Sequence, residues 1–368
     1  MRISRRSFAT RIGTGAAALQ LAVNRAEGQS ADRGRRLRYC IVGLGRISLQ
    51  HFMPACKLSK YGQVTAFVSG HRDKADKYAA DYGVPAKNIY DYTNFEEIAK
   101  NSDIDAVYIA LPNSIHTEYT IRAAKAGKHV LCEKPMATSV EDCKKMIEAC
   151  QSANRKLMIA YRCQYEPTNL RAVQLIREGK LGKIQLIEST YGFNERLGEW
   201  RLDKKLAGGG PLMDVGIYCL NACRYLTGEE PEKLQGYSSV IDKDGRFDTV
   251  EENLSFTMRF PSGILASVST TYGAPMNSFF RVHGSRGILE ADPAFNYDGL
   301  HLKARIAREA PVDEPNTEKD PAQFVREADH LARCVFDNEE PKSNSEEGLR
   351  DMQYIAEIYR SCGLRLGS

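Results

Sequence analysis

Hydrophobic and polar residues follow two different patterns along this 368-residue chain, and the change falls near residue 161. Before that point, short apolar runs rich in Val and Ile are separated by stretches with helical periodicity. They predict strands at residues 39–42, 64–68, 106–110, 129–132 and 157–160, and helices at 50–60, 74–82, 95–100, 117–126 and 140–153. Apolar strands separated by helices indicate a parallel sheet covered on both faces, which is a doubly wound α/β fold.

After residue 161 several apolar runs alternate with polar residues, as in strands with one solvent-exposed face. This half predicts strands at residues 182–191, 233–241, 254–260, 264–271, 279–283 and 288–290, helices at 169–178, 322–337 and 345–359, and a polar linker at 311–321. We therefore predict a Rossmann domain with a doubly wound parallel sheet over residues 38–160. An α+β domain with a large, mostly antiparallel open sheet follows over residues 161–368.

The formal net charge of +4 lies in the first 30 residues, which carry five arginines and one acidic residue. The rest of the chain is neutral, which argues against a dedicated nucleic-acid binder. Ser4-Arg5-Arg6-Ser7-Phe8 precedes a weakly apolar, Gly/Ala-rich stretch, and this pattern predicts a twin-arginine signal peptide over residues 1–30 and export in the folded state to the periplasm. A disordered basic tail is the alternative. We expect residues 31–37 to form an arm outside the core.

The chain has no apolar run of the roughly 18 residues that a membrane span needs, so we predict no membrane partner. Ten cysteines would normally indicate disulfides in an exported protein, but there is no Cys-x-x-Cys. Several cysteines fall in or beside predicted buried strands, and we interpret most of them as small buried hydrophobes. The seven histidines show no metal-ligand spacing, so we predict no metal site.

A turn of sequence Gly43-Leu44-Gly45-Arg46-Ile47-Ser48 follows the first predicted strand and opens a helix. Glycines at this spacing let the backbone approach a pyrophosphate, which then binds the N–H groups and positive dipole end of the helix. Ser48 stands where the dinucleotide fingerprint has its third glycine, and serine is still small enough for close packing. The turn predicts a dinucleotide site, with an ordinary strand–turn–helix as the alternative.

The second predicted strand ends in Val68-Ser69-Gly70-His71-Arg72-Asp73-Lys74. Proteins that bind NAD place an Asp or Glu near this point, where it holds the ribose hydroxyls. Here Ser69 occupies that place, with the cations Arg72 and Lys74 close behind it. Because a hydroxyl and two cations favour a 2′-phosphate, we predict NADP in preference to NAD. The alternative is that Arg72 and Lys74 only solvate the following helix.

The ends of the next two strands also carry polar residues. The run Leu111-Pro112-Asn113 must end its strand, since proline cannot donate to a sheet. His116 follows in the first helical turn, as either a packed structural histidine or a ligand contact. The pair Glu133-Lys134 ends the next strand. It is either a surface pair or a device that brings Lys134 to a substrate hydroxyl, which the lysine could polarise or deprotonate.

In the second half, Gly208-Gly209-Gly210-Pro211 precedes a predicted helix that carries Asp214 and Tyr218. Residues four apart share one face of a helix, so the acid and the phenol are expected to lie together. This arrangement suits proton exchange with a sugar hydroxyl. The alternative is an N-terminal acid that favours the helix dipole, together with a core tyrosine.

Taken in order, these motifs resemble the Gfo/Idh/MocA oxidoreductases, and within them the glucose–fructose oxidoreductase branch. The likeness extends over residues 38–363 and includes Tyr90-Asp91-Tyr92-Thr93-Asn94-Phe95, Tyr161-Arg162, Trp200-Arg201-Leu202 and the run at 225–231. Many family members have histidine where Tyr218 stands, so the chain resembles the sugar oxidoreductase branch in this position. The arm at residues 31–37 is shorter and less proline-rich than the arm that clasps the cofactor in that branch.

The resemblance implies roles for particular residues. Lys134 would be the catalytic lysine, Asp214 would orient the sugar, and Tyr218 would be the acid/base group. Ser69 and Lys74 match NADP-binding positions, while Tyr92, Arg162, Trp200 and Arg201 would enclose the cofactor. The predicted cofactor contacts are then Gly43, Leu44, Gly45, Arg46, Ile47, Ser69, Gly70, Arg72, Lys74, Tyr92, Leu111, Pro112, Asn113, His116, Glu133, Lys134, Arg162, Trp200 and Arg201. The resemblance also implies a homodimer or homotetramer built through the open sheet.

An exported dehydrogenase meets no pool of NADPH, so it must keep its nucleotide and regenerate it in place. We therefore predict a sugar oxidoreductase with tightly bound NADP that works by a ping-pong cycle. An aldose such as glucose is oxidised at C1 to its lactone, and the hydride passes to a second sugar such as fructose. One alternative is a sugar or polyol dehydrogenase of the same family with exchangeable NAD(P). The other is a non-catalytic nucleotide- or sugar-binding protein.

Overall fold

A six-stranded parallel sheet forms the first half of the protein. The computed structural model describes residues 34–366, and the strand order in this sheet is β3-β2-β1-β4-β5-β6, with every pairing parallel. The strands are β1 (Leu37–Val42), β2 (Gly62–Val68), β3 (Ile89–Tyr90), β4 (Ala106–Ile109), β5 (His129–Glu133) and β6 (Leu157–Ala160). The order reverses at β1, so the neighbouring strand ends open a crevice there. The predicted doubly wound fold is confirmed.

Helices cover both faces of this sheet. They are α1 (Met53–Leu58), α2 (Arg72–Tyr82), α3 (His116–Lys125) and α4 (Val140–Ser152), and shorter turns lie at Ser48–Phe52, Ala86–Asn88, Phe95–Lys100 and Asn113–Ile115. The turn at Phe95–Lys100 is a 3₁₀ helix rather than the α-type segment that the periodicity predicts. Leu37 is fully buried and pairs with Gly62, so the arm predicted for residues 31–37 ends one residue too late. Strand β3 has only two residues, which is too short to give a sequence signal.

The second sheet has eight strands in the order β14-β13-β12-β11-β7-β10-β9-β8. The strands are β7 (Ile184–Gly192), β8 (Lys233–Ser239), β9 (Asn253–Arg259), β10 (Leu265–Thr271), β11 (Met276–Gly284), β12 (Gly287–Ala291), β13 (His301–Ile306) and β14 (Val312–Pro315). Only the pairing of β7 with β10 is parallel, so the predicted mostly antiparallel open sheet is confirmed. Alternating burial in β9 keeps Leu254, Phe256 and Met258 inside.

Two strands at one edge of this sheet differ from the prediction. No strand is predicted at His301–Ile306, where Lys303 and Arg305 interrupt a short apolar alternation. The polar linker predicted at 311–321 contains β14, whose Asp313 and Glu314 are exposed. Acidic residues and proline are typical of edge strands, because they discourage pairing with another chain. The same residues make such a strand look like a loop in the sequence.

Helices of the second half pack on the inner face of the large sheet and against the first sheet. They are α5 (Pro167–Arg177), α6 (Lys204–Ala207), α7 (Ile217–Thr227), α8 (Ala322–Asp337) and α9 (Ser345–Ser361), with 3₁₀ turns at Arg162–Tyr165 and Trp200–Leu202 and a π-helical segment at Leu212–Gly216. One hydrophobic cluster runs from Val42 on β1 through Ile217 on α7 to Val268 on β10. The two sheets therefore share a core, which fixes the end of β5 relative to the start of α7.

A buried ion network joins α7 to α9. The guanidinium of Arg224 pairs with Glu347 at 3.0 Å and with Glu230 at 2.6 Å, and it also binds the fully buried Asp351. Burial raises the pKa of Asp351 to about 6, even though Arg224 opposes that shift. Removing one partner of a buried pair typically costs about 3–5 kcal/mol, because the other charge is left unpaired. This network ties α7 to α9 and so helps to hold α7 in place.

The ten cysteines are all free thiols, and all except Cys362 are buried, as predicted for small core residues. Within residues 34–366, no group of His, Cys, Asp and Glu side chains is arranged to hold a metal ion.

No helix among the same residues has the length and apolar character needed to cross a bilayer. The predicted signal peptide, and the start of the predicted arm up to residue 33, lie outside the described residues.

Candidate active site

The turn after β1 closes tightly and leaves space on its outer side. Gly43 has φ of +95°, and a Cβ there would lie 2.6 Å from the carbonyl oxygen of Ala110, so only glycine fits. At Gly45, by contrast, the atom nearest to an added Cβ would be that same oxygen, 4.0 Å away, so the space there is open. Ser48 is fully buried, and its hydroxyl donates to the carbonyl of Gly43 at 2.7 Å. The serine that replaces the third glycine therefore locks the turn.

The end of β2 carries the residues predicted to select the nucleotide. The Ser69 hydroxyl accepts a hydrogen bond from the backbone N–H of His71 at 3.1 Å. Arg72 is exposed and pairs with Asp76 at 2.9 Å. Lys74 forms no ion pair or hydrogen bond with any residue of 34–366. The ring of Tyr92 lies 3.2 Å from the position that a Cβ of Gly70 would take. Gly70 and Tyr92, both predicted to contact the cofactor, are therefore neighbours.

The end of β4 connects the two halves of the chain. The side-chain amide of Asn113 donates to the carbonyl of Ala207 at the end of α6, at 2.9 Å. His116 is fully buried, with Nδ1 3.0 Å from the carbonyl oxygen of Pro135 and Nε2 2.9 Å from that of Leu111. Burial lowers the pKa of His116. Of the two interpretations of this histidine, the geometry favours packing over direct ligand contact.

Lys134 follows directly after β5 and reaches across to the second domain. Its ammonium donates to the Asp214 carboxylate oxygen Oδ1 at 2.9 Å and to the Asp214 backbone carbonyl at 2.6 Å. The side chains of Lys134 and Asp214 are 9% and 18% exposed, so the pair is largely withdrawn from water. Contact at two atoms of the same residue fixes the position of the ammonium group as well as its charge.

Asp214 lies in the π-helical segment Leu212–Gly216, and the buried carboxylate of Glu251 binds the backbone just before that segment. Glu251 accepts hydrogen bonds from the backbone N–H of Gly210 at 2.9 Å and from the hydroxyl of Tyr359 at 2.7 Å. A Cβ at Gly210 would lie 2.4 Å from the carbonyl oxygen of Glu251. The glycine run is therefore needed for this close approach, and it places Asp214 opposite Lys134.

The second carboxylate oxygen of Asp214 receives two more donors. Arg201 Nε lies 2.9 Å from Oδ2, and the hydroxyl of Tyr272 donates to the same atom at 2.9 Å. Burial acts to raise the pKa of Asp214, but Lys134, Arg201 and these hydrogen bonds hold it well below the ordinary value. Asp214 is therefore a fixed anion and a poor proton donor. Arg201, predicted to enclose the cofactor, is here bound to Asp214.

Tyr218 faces both cations of the site with its ring. The Lys134 Nζ lies 4.6 Å from the ring centroid, and the Arg162 guanidinium carbon lies 4.9 Å from it. Among residues 34–366 no group forms a hydrogen bond with the Tyr218 hydroxyl, which leaves it available to a ligand. Burial raises the pKa of this phenol, and Arg162 opposes that shift. The predicted trio of Lys134, Asp214 and Tyr218 is thus one cluster.

Arg162 forms the floor of the cluster. Its guanidinium is buried and donates to the carbonyl of Phe295 at 2.6 Å and to Gln323 Oε1 at 2.6 Å. It also lies 4.4 Å from the ring centroid of Tyr297. Trp200 is partly exposed, with Arg201 4.8 Å from its ring centroid. Arg162 therefore contacts the cluster directly, whereas Trp200 is connected to it through Arg201, and the role of both in enclosing the cofactor stays a prediction.

Glu133, the residue before Lys134, is partly buried and accepts a hydrogen bond from the hydroxyl of Tyr108 at 2.5 Å. Burial raises the pKa of this carboxyl, and the hydrogen bond and the neighbouring cations oppose the shift.

Three residues near the site, Tyr272, Tyr297 and Glu251, were not predicted from the sequence. They lie on loops whose approach to the site depends on the register of the large sheet, and no spacing along the chain signals it.

Two family models match the chain. One, described as an oxidoreductase family with an NAD-binding Rossmann fold, covers residues 37–161. The other, described as the GFO/IDH/MocA C-terminal domain, covers residues 169–290. The chain belongs to the Gfo/Idh/MocA oxidoreductase family. The two matched segments meet at the Lys134–Asp214 pair, with one partner in each.

Two of the similar proteins are named for activity on sugars. A D-xylose 1-dehydrogenase [NADP(+)] from Haloarcula marismortui is 32% identical over 330 residues, which is 88% of this chain and 91% of the relative. The crystal structure of an aldose-aldose oxidoreductase from Caulobacter crescentus, complexed with glycerol, is 42% identical with a TM-score of 0.86, over 89% of this chain and 98% of that one. A 3-ketoreductase from Actinomadura kijaniata, solved with NADP, has a TM-score of 0.78 at 21% identity, over 89% and 98% of the two chains, and shows the shared fold.

Replacing Tyr272 with Phe removes one of the two donors to Asp214 Oδ2. A hydrogen bond to a charged group is worth roughly 1.5–3 kcal/mol, so we expect kcat for substrate oxidation to fall about 10-fold or more while KM changes little. Steady-state kinetics and a thermal melt measure the effect. The matched control is Tyr237→Phe, since Tyr237 is 78% exposed on the large sheet. Equal kcat values for Tyr272→Phe and the control would show that Asp214 does not need this donor.

Proposed function

We propose that this oxidoreductase transfers hydride between two sugars through an NADP molecule that stays bound. An aldose is oxidised at C1 to its lactone, and a second sugar accepts the hydride. The observation that carries the proposal is the cluster at the end of β5, where Lys134 is clamped on Asp214 and lies over the ring of Tyr218. The hydroxyl of Tyr218 has no protein partner among residues 34–366 and is open to a substrate.

The residues at the crevice fit a dinucleotide phosphate. The open side of Gly45 and the start of the following helix leave room for a pyrophosphate against backbone N–H groups. At the end of β2, Ser69 takes the place of the ribose-binding acid, while Arg72 and Lys74 can meet a 2′-phosphate. The NADP(+) in the name of the Haloarcula relative supports the same choice of nucleotide for this chain.

When bound, NADP supplies the hydride acceptor and donor for the sugar carbon. The protein groups handle the hydroxyl proton. In the oxidation direction Tyr218 takes that proton as its phenolate, the form that Lys134 and Arg162 at the ring face stabilise, and in the reduction direction the resulting phenol returns it. Lys134 polarises the same hydroxyl, and Asp214 keeps the ammonium in place. Since the neighbouring cations keep Asp214 ionised, it orients the sugar by accepting hydrogen bonds.

Two observations favour different versions of this activity. The 42% identical aldose-aldose oxidoreductase supports the two-sugar cycle, and it makes an aldose a plausible hydride acceptor beside a ketose such as fructose. The xylose dehydrogenase, at 32% identity, supports the second candidate, an NADP-dependent sugar dehydrogenase whose cofactor exchanges with solution. We favour the first, because the twin-arginine pattern in residues 1–30 supports export to a compartment in which the enzyme would meet no NADPH pool.

We also propose export to the periplasm by the twin-arginine route and assembly as a homodimer or homotetramer through the large sheet. The assembly is supported by apolar side chains on the outer face of that sheet, where Leu186 and Leu265 are about half exposed. They border a groove of about 590 Å³. Exposed apolar patches of this kind mark association surfaces in soluble proteins.

The Lys74→Gln variant tests the choice of nucleotide. Lys74 has no partner within residues 34–366, so its replacement removes a contact to the 2′-phosphate without disturbing another. We expect the NADP-to-NAD ratio retained after equilibration with an equimolar mixture to fall about 10-fold. Lys77→Gln, an exposed lysine on the same helix, is the control and should retain the original ratio. A ratio that Lys74→Gln leaves unchanged would place the phosphate elsewhere.

The cycle is tested with mature protein freed of unbound nucleotide and shown by mass spectrometry to contain NADP. We expect repeated lactone formation from glucose with fructose or a second aldose, with no nucleotide added, and a single turnover with a donor aldose that does not itself accept hydride. Lys134→Ala should lower the rate about 1000-fold or more, since it removes the group that polarises the hydroxyl. Activity that disappears on dialysis and returns with free NADP would instead select the exchangeable dehydrogenase.

A further inference from the structure

The loop that follows β7 carries a glutamate, Glu195, beside the residues that hold Asp214. The backbone N–H of Glu195 donates to the carbonyl of Tyr272 at 2.9 Å, and the Tyr272 hydroxyl in turn donates to Asp214 at 2.9 Å. The charges of Arg201 and Asp214 both act on the Glu195 carboxyl group. The loop therefore brings a second carboxylate to the edge of the active-site cluster.

A buried guanidinium holds this loop in place. Arg246 is 9% exposed, and it donates to the backbone carbonyl of Glu195 at 3.0 Å and to the side-chain oxygen of Asn194. Its Nε donates to Asp244 at 2.7 Å, and a terminal nitrogen donates to Asp242, so two acids balance its charge. Glu195 thus stands on a fixed backbone, which lowers the entropy cost of binding a ligand there.

The protein uses only part of the hydrogen-bonding capacity of the Glu195 carboxylate. Among residues 34–366 its one donor is the backbone N–H of Arg196, which lies 2.9 Å from Oε1. Burial raises the pKa of Glu195, while the Arg196 bond and the charge of Arg201 oppose the rise. A carboxylate that is partly withdrawn from water and has an oxygen without a donor favours a ligand that can supply one.

Arg201 offers the complementary groups. Its Nε binds Asp214, whereas its two terminal nitrogens have no hydrogen-bond acceptor in the part of the chain that the structure describes. Within that part no ion pair joins Arg201 to Glu195, although the charge of each acts on the other. An unpaired donor and acceptor at one place suit a hydroxyl group, which accepts from the first and donates to the second. The other terminal nitrogen of Arg201 is left for the cofactor that this residue is predicted to enclose.

We propose that Glu195 and Arg201 form a subsite for a sugar hydroxyl other than the reacting one at C1. This inference rests on the proposed sugar oxidoreductase activity and extends it to the choice of substrate. The hydroxyl donates to the Glu195 carboxylate and accepts a hydrogen bond from a terminal nitrogen of Arg201. Hydrogen bonds to charged groups are roughly twice as strong as neutral ones, so sugars that present this hydroxyl are selected. Because the bonds form in the ground state and the transition state alike, they act on affinity.

A cycle between protein and sugar variants tests the subsite. Holoenzyme is mixed rapidly with glucose or with 2-, 3-, 4- or 6-deoxyglucose. The rate of cofactor reduction at several sugar concentrations gives the dissociation constant and the limiting rate separately. We expect Glu195→Gln to raise the dissociation constant for glucose about 10-fold with little change in the limiting rate. One deoxy sugar should bind equally well to variant and wild type, because the hydroxyl that Glu195 binds is then already missing.

The matched control is Glu148→Gln, since Glu148 is exposed on α4, and it should equal the wild type with every sugar. Where Glu195→Gln fails to fold, Glu195→Asp takes its place, because it withdraws the carboxylate by one methylene group. The subsite is overturned if the variant binds glucose as tightly as the wild type. It is also overturned if the variant loses affinity by the same factor for glucose and for all four deoxy sugars.

The single tryptophan of the chain gives a readout that does not depend on turnover. The Arg201 guanidinium lies 4.8 Å from the ring centroid of Trp200, so we expect the tryptophan fluorescence to change when a sugar occupies the subsite. If no aldose reduces the cofactor, the proposed function fails, and the same sugars are titrated by this signal. Saturable changes that follow the expected cycle then still support the subsite. No saturable change, or equal affinities for glucose in wild type and Glu195→Gln, overturns it.

Discussion

The contact between Lys134 and Asp214 is the interaction on which the rest of the site depends. Lys134 leaves the edge of the parallel sheet, and Asp214 lies in a helical segment that packs on the antiparallel sheet. Burying two opposite charges costs free energy of desolvation, and removing one partner costs about 3–5 kcal/mol because the other charge is then left unpaired. The pair therefore fixes the two halves of the chain relative to each other at the proposed meeting point of nucleotide and substrate.

Around this pair, some groups keep Asp214 charged and others lie against Tyr218, the proposed proton-transfer group. Arg201 and Tyr272 complete the shell of donors around Asp214, which keeps it ionised. Arg162 and Lys134 stabilise negative charge on Tyr218 through its ring.

Much of the fold follows from local patterns in the sequence. Buried strands such as β1 and β5 give continuous apolar runs, and the glycines near residue 43 mark the turn between strand and helix. Strands β13 and β14 are harder to predict, because edge strands carry charges and proline that also characterise loops. The candidate residues Lys134, Asp214 and Tyr218 could be singled out by their place beside a strand end or a glycine run.

The groups around those residues could not be found in this way. Tyr272 follows β10 and reaches Asp214 only because β10 pairs with β7 in the large sheet. Arg201 is predicted to enclose the cofactor, and its additional bond to Asp214 depends on a 3₁₀ turn with no distinctive sequence. These positions depend on tertiary geometry, which one sequence does not encode in its local periodicity.

A double-mutant cycle measures the central pair most directly. Lys134→Met, Asp214→Asn and the double variant are compared in the single-turnover reduction of bound cofactor by an aldose, with folding checked by thermal melts. If the two side chains act as a unit, the double variant is no slower than the slower single variant, which amounts to a coupling of about 2–3 kcal/mol. If the two losses multiply, the residues act independently, and the pairing of Lys134 with Asp214 does not organise the site.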